Sequence, residues 1–142
     1  MDSINYLSFS GSRALDYNEV REIIRKEIKK HNPKIVVTHG EPAGVCQLVQ
    51  DECRRLGIPL LLFFLNVEKY ARGCYAHRTV ELMKFSSYAI FIHDGKSKGT
   101  ANEMEIAKKM EIPYSYYKVE VNEFWGNPSE IDLSLGDELL IE

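Results

Sequence analysis

The chain has 142 residues, 44% hydrophobic and 27% charged, a composition near that of ordinary globular domains that excludes the disordered and fibrous classes. Its formal charge is −3, yet the seven acidic residues from Glu120 onward meet no Lys or Arg, leaving 18 basic against 14 acidic residues over 1–119, a surplus of +4. That surplus suits a small anionic ligand, and the dispersed Lys and Arg make no stripe of the kind a nucleic-acid surface uses, so no nucleic-acid partner is expected.

A chain of this size buries roughly two-thirds of its unfolded surface, enough for one core without disulfides or a structural metal. One compact domain over 1–119 with an acidic C-terminal extension over 120–142 is therefore expected. No apolar run reaches the ~20 residues of a membrane helix, and MDSINYLSFSG is a polar start running into a strand, not a signal peptide. The expectation is a soluble cytoplasmic protein with no membrane partner. Cys46 and Cys53, seven apart on one predicted helix and so about 10 Å apart along its axis, are beyond disulfide reach, and reduced thiols are the default.

In chain order, apolar β-rich runs at 5–10 (NYLSFS), 34–39 (KIVVTH), 59–65 (PLLLFFL), 88–93 (YAIFIH) and 113–119 (PYSYYKV) alternate with helical patterns. The first helix carries Val20, Ile23, Ile24 and Ile28 on one face and opens on Asp16, with Glu19 three residues on. The second carries Val45, Leu48, Val49, Cys53 and Leu56 and ends at Gly57. A third, less regular, runs from about Tyr75 to Phe85, and a fourth has Met104, Ala107 and Met110. The runs VV, LLLFFL and AIFI read as buried on both faces, as in parallel strands covered by helices. The fold class is thus α/β: a Rossmann-like three-layer sandwich with a mainly parallel five-stranded sheet. From Glu120 the composition changes without a clear period, consistent with an edge hairpin, packing on the sheet or self-association. A homo-oligomer, a homodimer in the simplest case, is expected.

In an open parallel sheet, ligands bind beyond the carboxyl ends of the strands, where strand order reverses. The loop after strand one is Ser10-Gly11-Ser12-Arg13, with small residues that let backbone approach a ligand and a guanidinium suited to phosphate. After strand two comes His39-Gly40-Glu41-Pro42-Ala43-Gly44, and after strand four Asp94-Gly95-Lys96-Ser97-Lys98-Gly99-Thr100, each opening a helix whose N-terminal amides favour an anion. Gly and Ser are also ordinary turn residues; it is the convergence of three such loops that points to a site. Neither G-x-G-x-x-G nor a P-loop is present, which argues against a standard NAD oxidoreductase and an NTPase, and no cofactor is expected.

FSGSR, then VVTHGEPAGVCQL, then HRTVELMKFSSYAIFIHDGKSKGTANEMEIAKKMEIPY resemble the SLOG superfamily, which joins DprA/Smf, Lonely Guy and YpsA/YspA-like nucleotide-binding proteins. The pattern GSR, HGGARGAD, RN, DGxSxGT of the YspA-like branch is the most similar, over about Ile4 to Tyr117. The resemblance implies a Rossmann-like fold that binds nucleotides or nucleotide-derived ligands; some members hydrolyse nucleoside monophosphates. This chain departs from the pattern with Glu41 for a glycine, Ala43 for an arginine, Cys46 for an aspartate and Thr79 for an asparagine. A carboxylate at Glu41 beside a helix N-terminus would repel phosphate and move it toward the first or last loop.

In the Lonely Guy branch, cleavage of the base–ribose bond is associated with an Arg before the fourth strand and a Glu in a GTxxE stretch; Arg78 and Glu103 match these positions. Carboxylate chemistry fits the step, since Glu103 could stabilise positive charge developing on the ribose and orient a water while Arg78 holds the phosphate or the carboxylate. The segment DGKSKGTANEMEIA also resembles nucleoside deoxyribosyltransferases. Against this, Thr100-x-x-Glu103 reads equally as a capping box for the fourth helix. His39, His77 and His93 lack metal-ligand spacing, so no metal is expected. Tyr70, Arg72 and Tyr75 could stack on a base, and Cys46 at a helix start could be a low-pKa thiol, though no base accompanies it. Three functions follow: a sensor or carrier of a nucleotide or ADP-ribose-like ligand touching Ser10, Gly11, Ser12, Arg13, His39, Gly40, Gly44, Asp94, Gly95, Gly99 and Thr100; a nucleotide N-glycoside hydrolase using Glu103 and Arg78; or a scaffold with a vestigial site.

Overall fold

Alternating β-rich and helix-periodic segments fold as their pattern requires in the computed structural model, which describes residues 5–15 and 18–120. The elements are β1 (Tyr6–Gly11), α1 (Asn18–His31), β2 (Ile35–His39), α2 (Gly44–Leu56), β3 (Leu60–Phe63), α3 (Val67–Tyr70), a 3-10 turn (Ala71–Gly73), α4 (Cys74–Lys84), β4 (Tyr88–His93), α5 (Lys98–Lys109) and β5 (Tyr114–Lys118). The expected cap Asp16 and the extension beyond Glu120 lie outside the described residues. No helix among the described residues is long and apolar enough to cross a membrane.

All strand pairs are parallel, in the order β3-β2-β1-β4-β5. The architecture is a three-layer Rossmann-like α/β sandwich, and strand order reverses between β1 and β4. Strand alternation feeds two cores. Leu7, Phe9, Val36, Ile90 and Ile92 pack with Val20, Ile24 and Ile28 of α1 and Val45, Leu48, Val49 and Cys53 of α2. Val37, Ala89 and Phe91 pack with Leu82 and Met83 of α4 and Ala107 of α5 on the other face. Gly57 closes α2 at φ +71°, the left-handed conformation expected of a terminating glycine.

Three expectations need correction. The run LLLFFL is not buried on both faces: β3 is an edge strand whose four residues are all half-buried, and Phe64 beyond it is 65% exposed. Leu56, read as part of the apolar face of α2, is half exposed. The loop after strand three is largely helical, as α3 and the 3-10 turn, because Asn66 caps it by accepting the Lys69 amide at 3.1 Å.

Candidate functional site

At the carboxyl edge of the sheet, on the face covered by α4 and α5, lies a cavity of about 390 Å³. Its wall takes Gly11 and Arg13 from the end of β1, His39, Glu41, Ala43 and Cys46 from β2 and the start of α2, Arg72 from the 3-10 turn, and helix residues from α4 and α5. Helical spacing selects these last: Tyr75, Arg78 and Thr79 share one face of α4, and Gly99, Asn102, Glu103 and Ile106 one face of α5.

The expected catalytic pair meets in this cavity, in different company from that foreseen. Glu103 does not cap a helix. The N-cap of α5 is Ser97, whose Oγ accepts the Thr100 amide at 3.5 Å, so Thr100 lies inside the first turn. The Glu103 carboxylate instead stands 2.6 Å from His39 Nε2, in ion-pair range though not aligned as a hydrogen bond, and accepts from the Thr79 hydroxyl at 3.4 Å. Arg78 is 7% exposed and donates from Nη1 to Glu41 Oε2 at 2.6 Å. The other Glu41 oxygen takes the Arg13 guanidinium, so one carboxylate ties the loop after β1 to α4. Burial draws the Arg78 guanidinium below its ordinary pKa, against the opposing pull of Glu103. It remains a cation at neutral pH. Its guanidinium also lies 5.6 Å from the centre of the Tyr75 ring.

Several buried polar atoms of residues that line the cavity have no hydrogen-bond partner among the described residues: Thr100 Oγ1, Arg78 Nε and His39 Nδ1. Buried polar groups are normally paired, so these unpaired atoms, on residues that line the cavity, depart locally from that rule.

The remaining expected contacts serve the frame rather than the wall. Ser10 is buried on β1, and Ser12 Oγ accepts the Asp94 amide at 3.1 Å, pinning the loop after β1 to the loop after β4. Asp94 Oδ1 accepts the amides of Lys96 and Ser97, both at 2.8 Å, and winds the last loop into α5. Gly44 sits at φ +65°, and a Cβ there would lie 2.4 Å from Arg13 Cα, so its smallness lets α2 start against the first loop. A Cβ at Gly40 would enter the Phe64 ring, and one at Gly95 would press the Lys118 side chain. Cys46 does line the cavity, but burial raises its thiol pKa, an effect that Thr38 only partly offsets, so it is no low-pKa nucleophile.

All three cysteines are free and buried. His77 stacks on Tyr70 at 3.6 Å, and His93 contacts the Ser97 carbonyl at 2.8 Å and Tyr116 at 3.3 Å. No group of three or more His, Cys, Asp or Glu residues is placed to hold a metal ion among the described residues. Sequence alone did not single out Asn102 and Ile106 as wall residues and treated Glu41 only as an obstacle; the helical spacing from Gly99 to Ile106 was the available signal for the first two. Neither protein-family models, nor curated proteins, nor solved structures yield a match to this chain.

Proposed function

We propose that this cavity binds a nucleotide or a nucleotide-derived, ADP-ribose-like molecule, and that the protein acts as its sensor or carrier. The observation that carries the reading is a cavity at the β1/β4 reversal whose wall joins Arg13, Arg72, Arg78 and Lys98 with Tyr75. Its volume of about 390 Å³ falls in the range of small-molecule sites. Cations beside the first turn of α5 suit phosphate, Tyr75 offers a face to a base, and Thr100 and His39 suit ribose hydroxyls. The three buried free thiols fit a reducing, cytoplasmic setting, and exposed Phe64 and Val67 beside the edge strand fit a homodimer contact. Melting curves with AMP, ADP-ribose and adenosine test the reading. A ligand at a hundred times its dissociation constant adds about 2.7 kcal/mol, and the phosphorylated compounds should act more strongly than adenosine. A flat response to all three overturns it in favour of a vestigial site.

A second reading, hydrolysis of a nucleotide N-glycosidic bond, is favoured by one observation: the Glu103 carboxylate stands in the cavity with Arg78 instead of serving a helix cap. There it could balance positive charge on a ribose and direct a water, while His39 and Thr79 hold its orientation. Chromatography of AMP incubated with the protein would show free base, and Glu103→Gln would lower its release by about a hundredfold with binding retained. Release that survives Glu103→Gln unchanged removes the catalytic role.

A further inference from the structure

Arg13 and Arg78 come from segments 65 positions apart, yet both guanidiniums converge on one small anion, and that anion is the chain's own Glu41 carboxylate. The group is not a surface ion pair. Arg78 is buried, the Glu41 side chain is only 16% exposed, and all three residues line the cavity. Two cations meet on one carboxylate there, and Arg78 Nε has no hydrogen-bond partner among the described residues. A phosphate monoester brings up to two charges and three oxygens, and would satisfy such a seat better than a carboxylate with two.

The local backbone allows the exchange. Buried Gln50 donates its side-chain amide to the Glu41 carbonyl at 3.0 Å and to the His39 carbonyl at 3.3 Å, fixing the main chain of the loop. A change of Glu41 side-chain rotamer therefore need not carry the main chain of this loop with it.

We propose that Arg13 and Arg78 form a phosphate seat that Glu41 occupies as an internal stand-in anion, so that a phosphorylated ligand binds by displacing Glu41 from between the two arginines. This deepens, and rests on, the reading of the cavity as a nucleotide site. It assigns Glu41 as the residue that sets how strongly the site rewards phosphate. A ligand with no anionic group leaves Glu41 in place and gains nothing from the seat; a phosphorylated one gains only the difference between its own hold on the arginines and that of Glu41. The same carboxylate also keeps the two cations together when no phosphate is near.

Titration calorimetry of wild type, Glu41→Gln and Glu41→Ala with inorganic phosphate, AMP and adenosine tests the idea. Both variants should bind phosphate and AMP about tenfold or more tightly than wild type, since a competing charge is gone, with adenosine unchanged. Adding Arg78→Ala to Glu41→Gln should abolish the gain. Circular dichroism of each variant reports its folding, and Glu41→Ala serves where Glu41→Gln does not fold. AMP binding that is unchanged or weaker in the folded Glu41 variants overturns the proposal, leaving Glu41 as a fixed brace for the arginines; so does a wild-type complex with AMP in which Glu41 still joins Arg13 and Arg78. If the variants gain phosphate affinity while no nucleotide binds, the seat stands and the nucleotide reading falls. If wild type binds AMP but the variants gain nothing, the reading stands and the seat falls.

Discussion

Ser97 shows how a single hydroxyl decides where a helix begins. The spacing Thr100-x-x-Glu103 satisfies the capping-box rule as well as any in the chain, yet α5 starts one residue after Ser97. The cause lies upstream: Asp94 gathers the amides of Lys96 and Ser97 and turns the chain immediately after β4, so Ser97 takes the extended cap conformation and Thr100 is already helical. Spacing alone does not say which hydroxyl the preceding loop delivers to the cap. The stability consequences therefore separate. Ser97→Ala should lower the unfolding free energy by about 0.5–1 kcal/mol, near the low end for caps because the bond is long, whereas Glu103→Gln should leave it nearly unchanged. Urea denaturation of the two variants checks this, and an unchanged stability of Ser97→Ala would remove its hydroxyl from the cap. Glycines tell a similar story. Gly40 and Gly44 were legible as special positions, but their reason is the Phe64 ring and the Arg13 backbone, neighbours that only the folded chain supplies.

Elements were legible wherever one face of a segment meets the core. The apolar spacing of α1 and the glycine stop of α2 follow directly from burying one stripe against a sheet. The edge position of β3 was not legible, because an apolar run looks the same whether the neighbour on its far side is a strand or solvent. Between α1 and α2 lies a second feature that pattern does not reveal. Glu52, with its side chain fully buried, receives Arg25 at 2.6 Å, Arg21 at 3.0 Å and Arg55 at 3.3 Å. Hydrogen bonding from Arg25, helped by Arg21 and opposed by burial, holds its carboxyl below the ordinary 4.5. The unfolded chain therefore takes up this proton first. The contribution is complete above about pH 4.5 and is lost as pH falls through the lower native value. Glu52→Gln should cost about 1–3 kcal/mol at pH 7, where the partly solvated arginines limit the loss, and this difference from wild type should shrink on acidification. Denaturation midpoints from pH 7 down to about pH 3 check it, and a constant difference would show that the clamp carries no linked proton.

For the whole molecule, alternation of strand and helix was enough to bring the βα loops of the candidate site to one edge of a parallel sheet, since every such loop leaves the strands on that side. It was not enough to say that the wall would be drawn mainly from the α4 and α5 face. That follows from strand pairing, which sets Ser8 beside Val37 on the face of those helices, so that alternation brings Ser10 and His39, two residues on in each strand, to the same face. The pairing of β1 with β4 also has a temporal meaning. The strand in the centre of the sheet is made first, and its partner across the reversal follows some eighty residues later; the Ser12–Asp94 bond that fastens the two loops spans 82 positions. Contacts so distant in sequence close late and slowly, because chain entropy must be surrendered before they form. The cavity straddles that seam, so an emerging polypeptide has no cleft until α5 has left the ribosome. In stopped-flow refolding, competence to bind AMP should therefore appear only with the slowest phase, and saturating AMP should slow unfolding while leaving earlier refolding phases unaltered. Occupancy of the cleft would then report that translation had passed α5 and that the seam between β1 and β4 had closed.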